Sequence, residues 1–537
     1  MTSYEVVPEP CFDIFRLPRE LPGEIMSRDY LIVKPSNQVV ASLFGTNSLY
    51  EFQLSNPAQM MDLNESYILM SLALCDVAAS PLAPIKGNAG FLDTIAIAFA
   101  PALFRQVQLT IGTTVISSSS TNAGISQYVY NLLRWSKSAA LSGDLDVLEY
   151  LDVVAGEGAT ATRPQSNSVY PPGSTSATSI GDYGAQKTNV FTTTPSQVLT
   201  ITAGTPFPVY GTANTTGATP ANLTFGINPE FNYGFYKRSL KIAYATGASL
   251  NATFNLRIPL NRLFGFCKEG MPVIYGQPVN LRFYPSKSSQ YIQKTAARNG
   301  NAYDFYIQSM DLFLNVKKPS AAVAARIQEA LAAGAKTRYQ YNDFDTFQFT
   351  GNGQTFTITL GVPSYYLTWL ALSFRPSSYF ADQTAAAPTP NVGCSVCPNP
   401  IANDDCPFSQ AYITYGQQII PAIPYGTSKA DLGRMYNTYQ ECCDTLNPAG
   451  QGAIIDYEQW CQNHFIVVFD LRNRDITGIT GASPATSLTI NLQFNQTPLV
   501  SSAGGAANAP YQVSATWFAC REVEFQATSQ GVAIVSV

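Results

Sequence analysis

Short apolar runs separated by Ser, Asn, Pro and Gly set the rhythm of this chain from Tyr30 onward. Tyr30-Leu-Ile-Val33, Ser48 to Leu54 and Tyr67 to Leu74 have the lengths and boundaries of strands. Phe104-Arg-Gln-Val-Gln-Leu-Thr-Ile111 alternates apolar with polar, which predicts a strand with one buried face. Gly112-Thr113 supplies a turn, and Val115-Ile116 starts the return strand. Helical spacing is confined to a few places. Tyr128, Leu132 and Trp135 form one stripe, and Asp144 to Leu151 reads as a second short helix. Val323, Ile327 and Leu331 form another stripe, with Pro319 suited to its start and Gly334 to its stop. Ser428-Lys-Ala-Asp431 opens a further helix, with Leu432, Met435, Tyr436 and Tyr439 on one face. Asp144, Asp146 and Glu149 read as a solvated helix face near an N-terminus, not as a site.

The pattern is written twice. Phe254-Asn-Leu-Arg-Ile-Pro-Leu and Val279-Asn-Leu-Arg-Phe283 return as Phe465-Ile-Val-Val-Phe-Asp-Leu and Ile490-Asn-Leu-Gln-Phe494. The same spacing pairs Tyr306 with Trp517, Asp311 with Glu522, Leu312 with Val523 and Leu314 with Phe525. A run of matches at one offset predicts a duplicated domain. Earlier in the chain, Tyr67–Leu74 echoes Tyr365–Leu372, and Phe52-Gln-Leu54 echoes Phe347-Gln-Phe349. That second offset is longer, so the first copy must hold the surplus between its early and late strands. A surface insertion accommodates it, since loop closure costs rise slowly with length.

The Thr-, Ser-, Ala-, Gly- and Pro-rich stretch 155–224 is where most of that surplus belongs. It is expected as an elaborated surface loop with a small sheet of its own, or as a disordered one. Strands resume at Phe231 and run to Val316. The second copy starts near Tyr339, with strands at Asp345–Thr350, Gln354–Leu360, Tyr365–Phe374, Phe465, Leu488 and Trp517. The predicted organisation is an arm over 1–29, a first sandwich over 30–318, a linker helix over 319–336, and a second sandwich over 337–537. The second carries a Cys-rich loop at about 380–461.

Composition narrows the function classes. Charged residues make up 12% of the 537, about half the usual share, and net charge is -5. That balance argues against a nucleic-acid-binding surface, which needs clustered Lys and Arg. A surface of Ser, Thr, Asn and Gln suits packing against other subunits, because few charges must be desolvated. Aromatic residues, 30 Tyr and 30 Phe among them, favour strands. Met1-Thr-Ser-Tyr-Glu-Val-Val-Pro8 shows no basic segment followed by an apolar one, so a cytosolic product without a secretory signal is the expectation. The most apolar run, Phe91 to Phe104, contains Asp93 and Pro101 and is too short to cross a bilayer.

Candidate chemistry is sparse. The single histidine, His464, precedes a strand and has no Ser or Cys nucleophile motif around it, so it reads as structural. No phosphate-binding Gly-rich loop ending in Lys-Ser/Thr is present. Cys394, Cys397, Cys406, Cys442, Cys443 and Cys461 form the one cluster. Cys394-Ser-Val-Cys397 has zinc-knuckle spacing that Cys461-Gln-Asn-His464 could complete, although the separation matches no compact zinc module. Disulfides stapling an exposed loop and free thiols are the other two readings, and all three stay open at this point. No catalytic residue, cofactor or resident metal is assigned, and an enzyme is not the expectation.

Three stretches carry a family resemblance. Phe104 to Ile116 with the Tyr- and Leu-bearing helix after it, Arg257-Ile-Pro-Leu-Asn-Arg-Leu-Phe-Gly-Phe266 with Pro278–Phe283, and the Ala-rich linker with Phe469-Asp-Leu-Arg472 are the residues concerned. Together they resemble the double jelly-roll major capsid proteins of Polinton-like viruses and virophages, within the adenovirus–tectivirus lineage. Thr113 departs from the Asn-Gly that relatives often place in the turn. The resemblance implies an all-β fold of two tandem eight-stranded jelly rolls. It also implies a homotrimeric, pseudo-hexameric capsomer in the icosahedral shell of a dsDNA virus. Implied partners are neighbouring capsomers and penton and minor capsid proteins, in the virion, with no sequence-specific nucleic acid. The competing readings are a β-sandwich carbohydrate-binding or cell-surface protein and a glycosidase on a jelly roll, since fold does not fix function.

Overall fold

The structure is a computed structural model. It describes residues 25–36, 42–54, 60–77, 83–84, 95–97, 100–119, 123–134, 199–202, 222–225, 238, 253–268, 274, 276–294, 303–334, 336–351, 353–361, 366–376, 397, 399–400, 406–415, 418–446, 453–462, 464–472, 487–495, 511–528 and 531–536. The helix predicted over Asp144 to Leu151, most of 155–224, Cys394 and nearly all of the Phe231–Ala252 segment lie outside the described residues.

Besides short pieces of two to four residues, the described residues of the first half form eight main strands: β1 (Ile25–Val33), β2 (Tyr50–Leu54), β3 (Met60–Asp76), β4 (Phe104–Ile111), β5 (Thr114–Ser118), β6 (Phe254–Pro259), β7 (Val279–Pro285) and β8 (Tyr303–Pro319). They form two antiparallel sheets, ordered β1-β8-β3-β6 and β2-β7-β4-β5. The second half supplies β9 (Lys336–Gly351), β10 (Thr355–Gly361), β11 (Tyr366–Pro376), β12 (Phe408–Tyr415), β13 (Gln418–Tyr425), β14 (Ile466–Asp470), β15 (Ser487–Phe494) and β16 (Tyr511–Thr528). Their sheets run β9-β16-β11-β14 and β10-β15-β12-β13. Counted one to eight within each half, both halves pair as 1-8-3-6 and 2-7-4-5. Two packed sheets in that Greek-key order make a jelly roll, and this chain has two.

Alternation decides which side of each strand meets the core. Along β7, Val279, Leu281, Phe283 and Pro285 are buried and the residues between them are not. Along β6, Phe254, Leu256 and Ile258 point inward. Phe52 and Phe283 meet edge to face at 6.0 Å, and Phe104 lies 5.1 Å from Phe283, so aromatic pairs line the first core. Phe374, Phe408, Phe465 and Phe494 do the same in the second, with ring centroids 5.3 to 6.3 Å apart.

The repeat read from sequence falls on equivalent strands. Leu281 pairs with both Phe52 and Leu109, and Leu492 pairs with both Phe356 and Ala411. Tyr67–Leu74 and its echo lie on the third strand of each roll, β3 and β11. The Phe52 echo does not hold. Phe52 lies on the second strand of its roll, whereas Phe347 lies on β9, the first of the other. Phe356 on β10 is the true counterpart, and the short Phe-Gln-apolar match misled because any half-buried strand offers it. The surplus of the first roll falls between its fifth and sixth strands, after Ser118 and before Phe254.

Two boundaries differ from expectation. β1 begins at Ile25, inside the stretch read as an arm. It is an edge strand exposed on both faces, with Met26, Tyr30, Leu31 and Ile32 all open to solvent, so it shows no burial period. The Cys-rich span at about 380–461 is not one loop. It holds β12 and β13 and a long helix, because Phe408, Ala411, Ile413 and Tyr415 alternate inward. Pro421 and Pro424 inside β13, and the Pro- and Cys-rich stretch that runs up to Pro407, hid these strands.

The three longest helices among the described residues are α1 (Ala123–Arg134) after β5, α2 (Ala321–Ala332) between the rolls, and α3 (Lys429–Leu446) after β13. Gly334 follows α2 with φ +65°, the left-handed conformation that ends helices and that Gly adopts without a Cβ penalty. At the start of α3 the Ser428 hydroxyl accepts from the Asp431 N–H at 3.2 Å and donates to its carboxylate at 2.6 Å. Ser428→Ala is expected to cost ~1 kcal/mol, measurable as a lowered urea midpoint. A Cβ at Gly433, inside α3, would meet nothing within 4 Å. Gly433→Ala should therefore raise stability by ~0.5–1 kcal/mol in the same assay, because it restricts the unfolded chain without crowding the folded one.

The inter-roll seam as candidate functional site

The two rolls meet along a buried seam built from α1, β5 and the Gly265–Cys267 turn on one side and the β9–β16 ribbon with α3 on the other. Three things assemble there: aromatic rings, one buried ion pair, and the lone histidine.

Phe266 carries the first. It is fully buried, edge-on to Tyr339 at 5.5 Å and to Tyr341 at 5.3 Å, with Phe525 at 6.3 Å. A ring of that size, buried between two rolls, contributes both area and quadrupole contacts. Next to it Gly265 lies against the backbone of β9. A Cβ built there would overlap the Asn342 carbonyl and press on Asp343 Cα, so only Gly allows this approach. Tyr130 of α1 stacks on Phe344 at 4.4 Å, and the Lys268 ammonium sits 3.0 Å from the Tyr130 ring centre. That cation–π contact lets a lysine stem enter an otherwise apolar joint.

The ion pair joins β9 to β16 beneath β5. Arg521 donates to the Asp343 carboxylate at 2.8 Å and to the Ile116 carbonyl at 2.7 Å. Tyr341 donates to the same carbonyl at 3.0 Å, and Ser117 donates to Asp343 at 3.3 Å. The edge of β5 is thus capped by side chains of the other roll, and it does not pair with another strand. Burial pushes the Asp343 carboxyl above its usual range, and the Arg521 guanidinium beside it pulls the other way.

His464 lies at the far end of the seam, 1% exposed. Its Nδ1 is 2.5 Å from the Tyr128 hydroxyl of α1. Cys397 forms a parallel bridge with His464, its carbonyl accepts from the Phe465 N–H at 2.8 Å, and its Sγ is 3.5 Å from the Tyr128 hydroxyl. The Arg375 guanidinium lies 5.1 Å over the Tyr128 ring. Sequence proximity to zinc-knuckle spacing therefore did bring Cys397 and His464 together. Tyr128, Cys397 and His464 form a hydrogen-bonded joint between the rolls, and the Cys394 that the zinc reading also needs lies outside the described residues. Among the described residues no group of three His, Cys, Asp or Glu side chains could hold a metal ion.

The other cysteines of the cluster are placed in packing. Among the described residues Cys397, Cys406, Cys442, Cys443 and Cys461 are all buried. Burial raises the Cys397 thiol to about 11, with Arg375 and Tyr128 opposing, and the Cys443 thiol to about 12. Such thiols are protonated and unreactive at neutral pH. Cys442 and Cys443 lie on the inner face of α3, where the Tyr439 hydroxyl donates to the Leu132 carbonyl of α1 at 3.1 Å. Sequence reasoning missed the seam residues Gly265, Lys268, Asp343 and Arg521. The signal available was an acid in β9 and a base in β16 set among aromatic and apolar neighbours, Tyr341-Asn-Asp343-Phe344 and Phe518-Ala-Cys-Arg521.

The seam joins two copies of a single topology. The chain folds as a double jelly roll. No protein-family model matches the sequence, and no curated protein matches it. Solved structures do align with it end to end at low identity. A chain of the Sputnik virophage particle is 11% identical with a TM-score of 0.49, covering 96% of this chain and 90% of that one. The Faustovirus major capsid protein is 10% identical with a TM-score of 0.47, covering 94% and 92%. A chain of the PBCV-1 virus capsid is 13% identical with a TM-score of 0.45, covering 95% and 97%.

Proposed function

We propose that this double jelly roll is a major capsid protein whose activity is its shape. The observation that carries the reading is the pair of identically wound rolls locked in one chain by the buried seam. Three such chains give six similar wedges around a threefold axis, and a pseudo-hexagonal block of that kind can tile an icosahedral shell. The sparse charge supports it, since obligate interfaces are large and poor in unpaired charge. The sequence stretches named above, which resemble double jelly-roll capsid proteins, point the same way. On this reading the partners are two further copies, neighbouring capsomers, and penton and minor capsid proteins of a dsDNA virion. The segment before Ile25 and the 155–224 insertion would then serve as an arm and an outward tower.

Native mass spectrometry and electron microscopy of the purified chain test this. The expected result is a stable species of three times the 58.1 kDa chain mass, with a pseudo-hexagonal outline. A stable monomer at micromolar concentration would overturn it.

A further inference from the structure

β3 does not run evenly past β8. Phe313 pairs with Tyr67 and Asn315 with Asp62, so the bulge from Leu63 to Ser66 faces Leu314 alone. Side chains hold the bulge in place. The Ser66 hydroxyl donates to the Asp62 carbonyl at 2.6 Å and accepts from the Asn315 N–H at 2.9 Å. Asn261 donates to the Asn64 carbonyl at 3.1 Å. The bulge thereby gathers several groups around one carboxylate.

The Lys317 ammonium of β8 is in direct contact with Asp62 Oδ2, and the two side chains are 10% and 8% exposed. The Asn64 N–H donates to the other carboxylate oxygen, Oδ1, at 2.9 Å. Glu65 Oε2 lies 3.8 Å from Lys317 Nζ and accepts from the Asn315 side-chain amide at 2.8 Å, which fixes its position. An ion pair between neighbouring strands needs neither a backbone donor on Oδ1 nor a second, separately held carboxylate beside the ammonium. An amine, a carboxyl carbon, a donor for its oxygen and a proton carrier are together the parts of an amide-forming centre.

We infer that Lys317 and Asp62 become joined by an isopeptide bond that the folded chain forms by itself. The ammonium passes one proton to Asp62 Oδ2, which leaves an amine facing a carboxylic acid. The amine lone pair attacks Cγ, the Nζ–Cγ bond forms, and the C=O electron pair moves onto Oδ1 beside the Asn64 N–H. Glu65 takes a second proton from Nζ. The pair on Oδ1 then re-forms the carbonyl, the Cγ–Oδ2 bond breaks, and the hydroxyl leaves with the proton from Glu65 as water. One proton stays on the amide nitrogen, Glu65 is again a carboxylate, and nothing is oxidised or reduced. The sheet holds the reacting groups together, which stands in for an activated acid. The neutral product also replaces a buried ion pair that is costly to desolvate. The bond links positions 255 apart, close to where β8 ends and α2 leaves for the second roll. It therefore restricts the unfolded chain across most of the first roll. The inference does not depend on the capsid reading.

Mass spectrometry of the full wild-type chain under denaturing conditions, after incubation of the folded protein at neutral pH, tests this. The expected intact mass is one water below the sequence mass, and proteolysis should give a single branched fragment that carries both residue 62 and residue 317. Lys317→Arg keeps the charge but should show its full sequence mass and two separate fragments. Glu65→Gln, at a side chain 41% exposed, should convert about a hundredfold more slowly than the wild-type chain. A wild-type chain at its full sequence mass with separate fragments would overturn the inference, and it would leave the capsid reading untouched. Loss of one water with the fragments unjoined would mark a cyclised aspartate and overturn it as well. Conversion of Glu65→Gln at the wild-type rate would overturn the role given to Glu65.

Discussion

Arg521→Met should destabilise the chain by ~3–5 kcal/mol at neutral pH, seen as a large drop in urea midpoint. The substitution keeps the side-chain stem but leaves the Asp343 carboxylate, 7% exposed, buried without its cation. It also removes the donor that caps the Ile116 carbonyl at the edge of β5. The loss should depend on pH with a defined sign. Burial already holds the Asp343 carboxyl above its ordinary value, with Arg521 opposing. A carboxyl raised in the folded state contributes most below its unfolded value, and that contribution is lost as pH rises through the raised one. Without Arg521 the carboxyl rises further. The variant should therefore lie nearer the wild-type chain at about pH 4 than at pH 7, by urea melts at each pH. Arg521→Met combined with Asp343→Asn should recover part of the loss at pH 7. A deficit independent of pH would show that packing, not the stranded charge, is responsible.

Gly265→Val should open the seam. The added side chain would occupy the space of the Asn342 carbonyl, and neither backbone can yield without dragging Phe266 from its ring of Tyr339, Tyr341 and Phe525. Overpacking of a close contact costs ~1–3 kcal/mol, and occasionally more. Calorimetry should then resolve two transitions where the wild-type chain shows one, since each roll keeps its own core while their coupling is lost. Gly361→Ala is the control, because a Cβ there meets nothing within 4 Å. A Gly265→Val chain that melts once, at the wild-type temperature, would show that the joint tolerates displacement. The fixed geometry of the wedge pair would then need another source.

Most of the fold was legible because strand periodicity is a local property. Alternation at Phe104–Ile111 and the repeat of Phe254–Phe283 at Phe465–Phe494 needed only the chain to be read, and both landed on equivalent strands. The helix start at Ser428 and its stop-signal counterpart at Gly334 were likewise local. What failed had no local mark. β1 is exposed on both faces and lacks a period, while β12 and β13 were hidden behind a Pro- and Cys-rich stretch.

The candidate site was barely legible. Cys397 and His464 stood out by residue type, but their meeting with Tyr128 joins positions 336 residues apart and depends on how two rolls dock. Gly265 is one of 37 glycines, and nothing beside it in the chain announces that Asn342 will lie against it. The sequence by itself determined that the chain is a doubled β-sandwich with little charge, because burial pattern and duplication are carried by neighbouring residues. Only the tertiary structure decided which surfaces are spent on the seam and which remain open, because that follows from how two finished rolls pack, a contact no local pattern encodes.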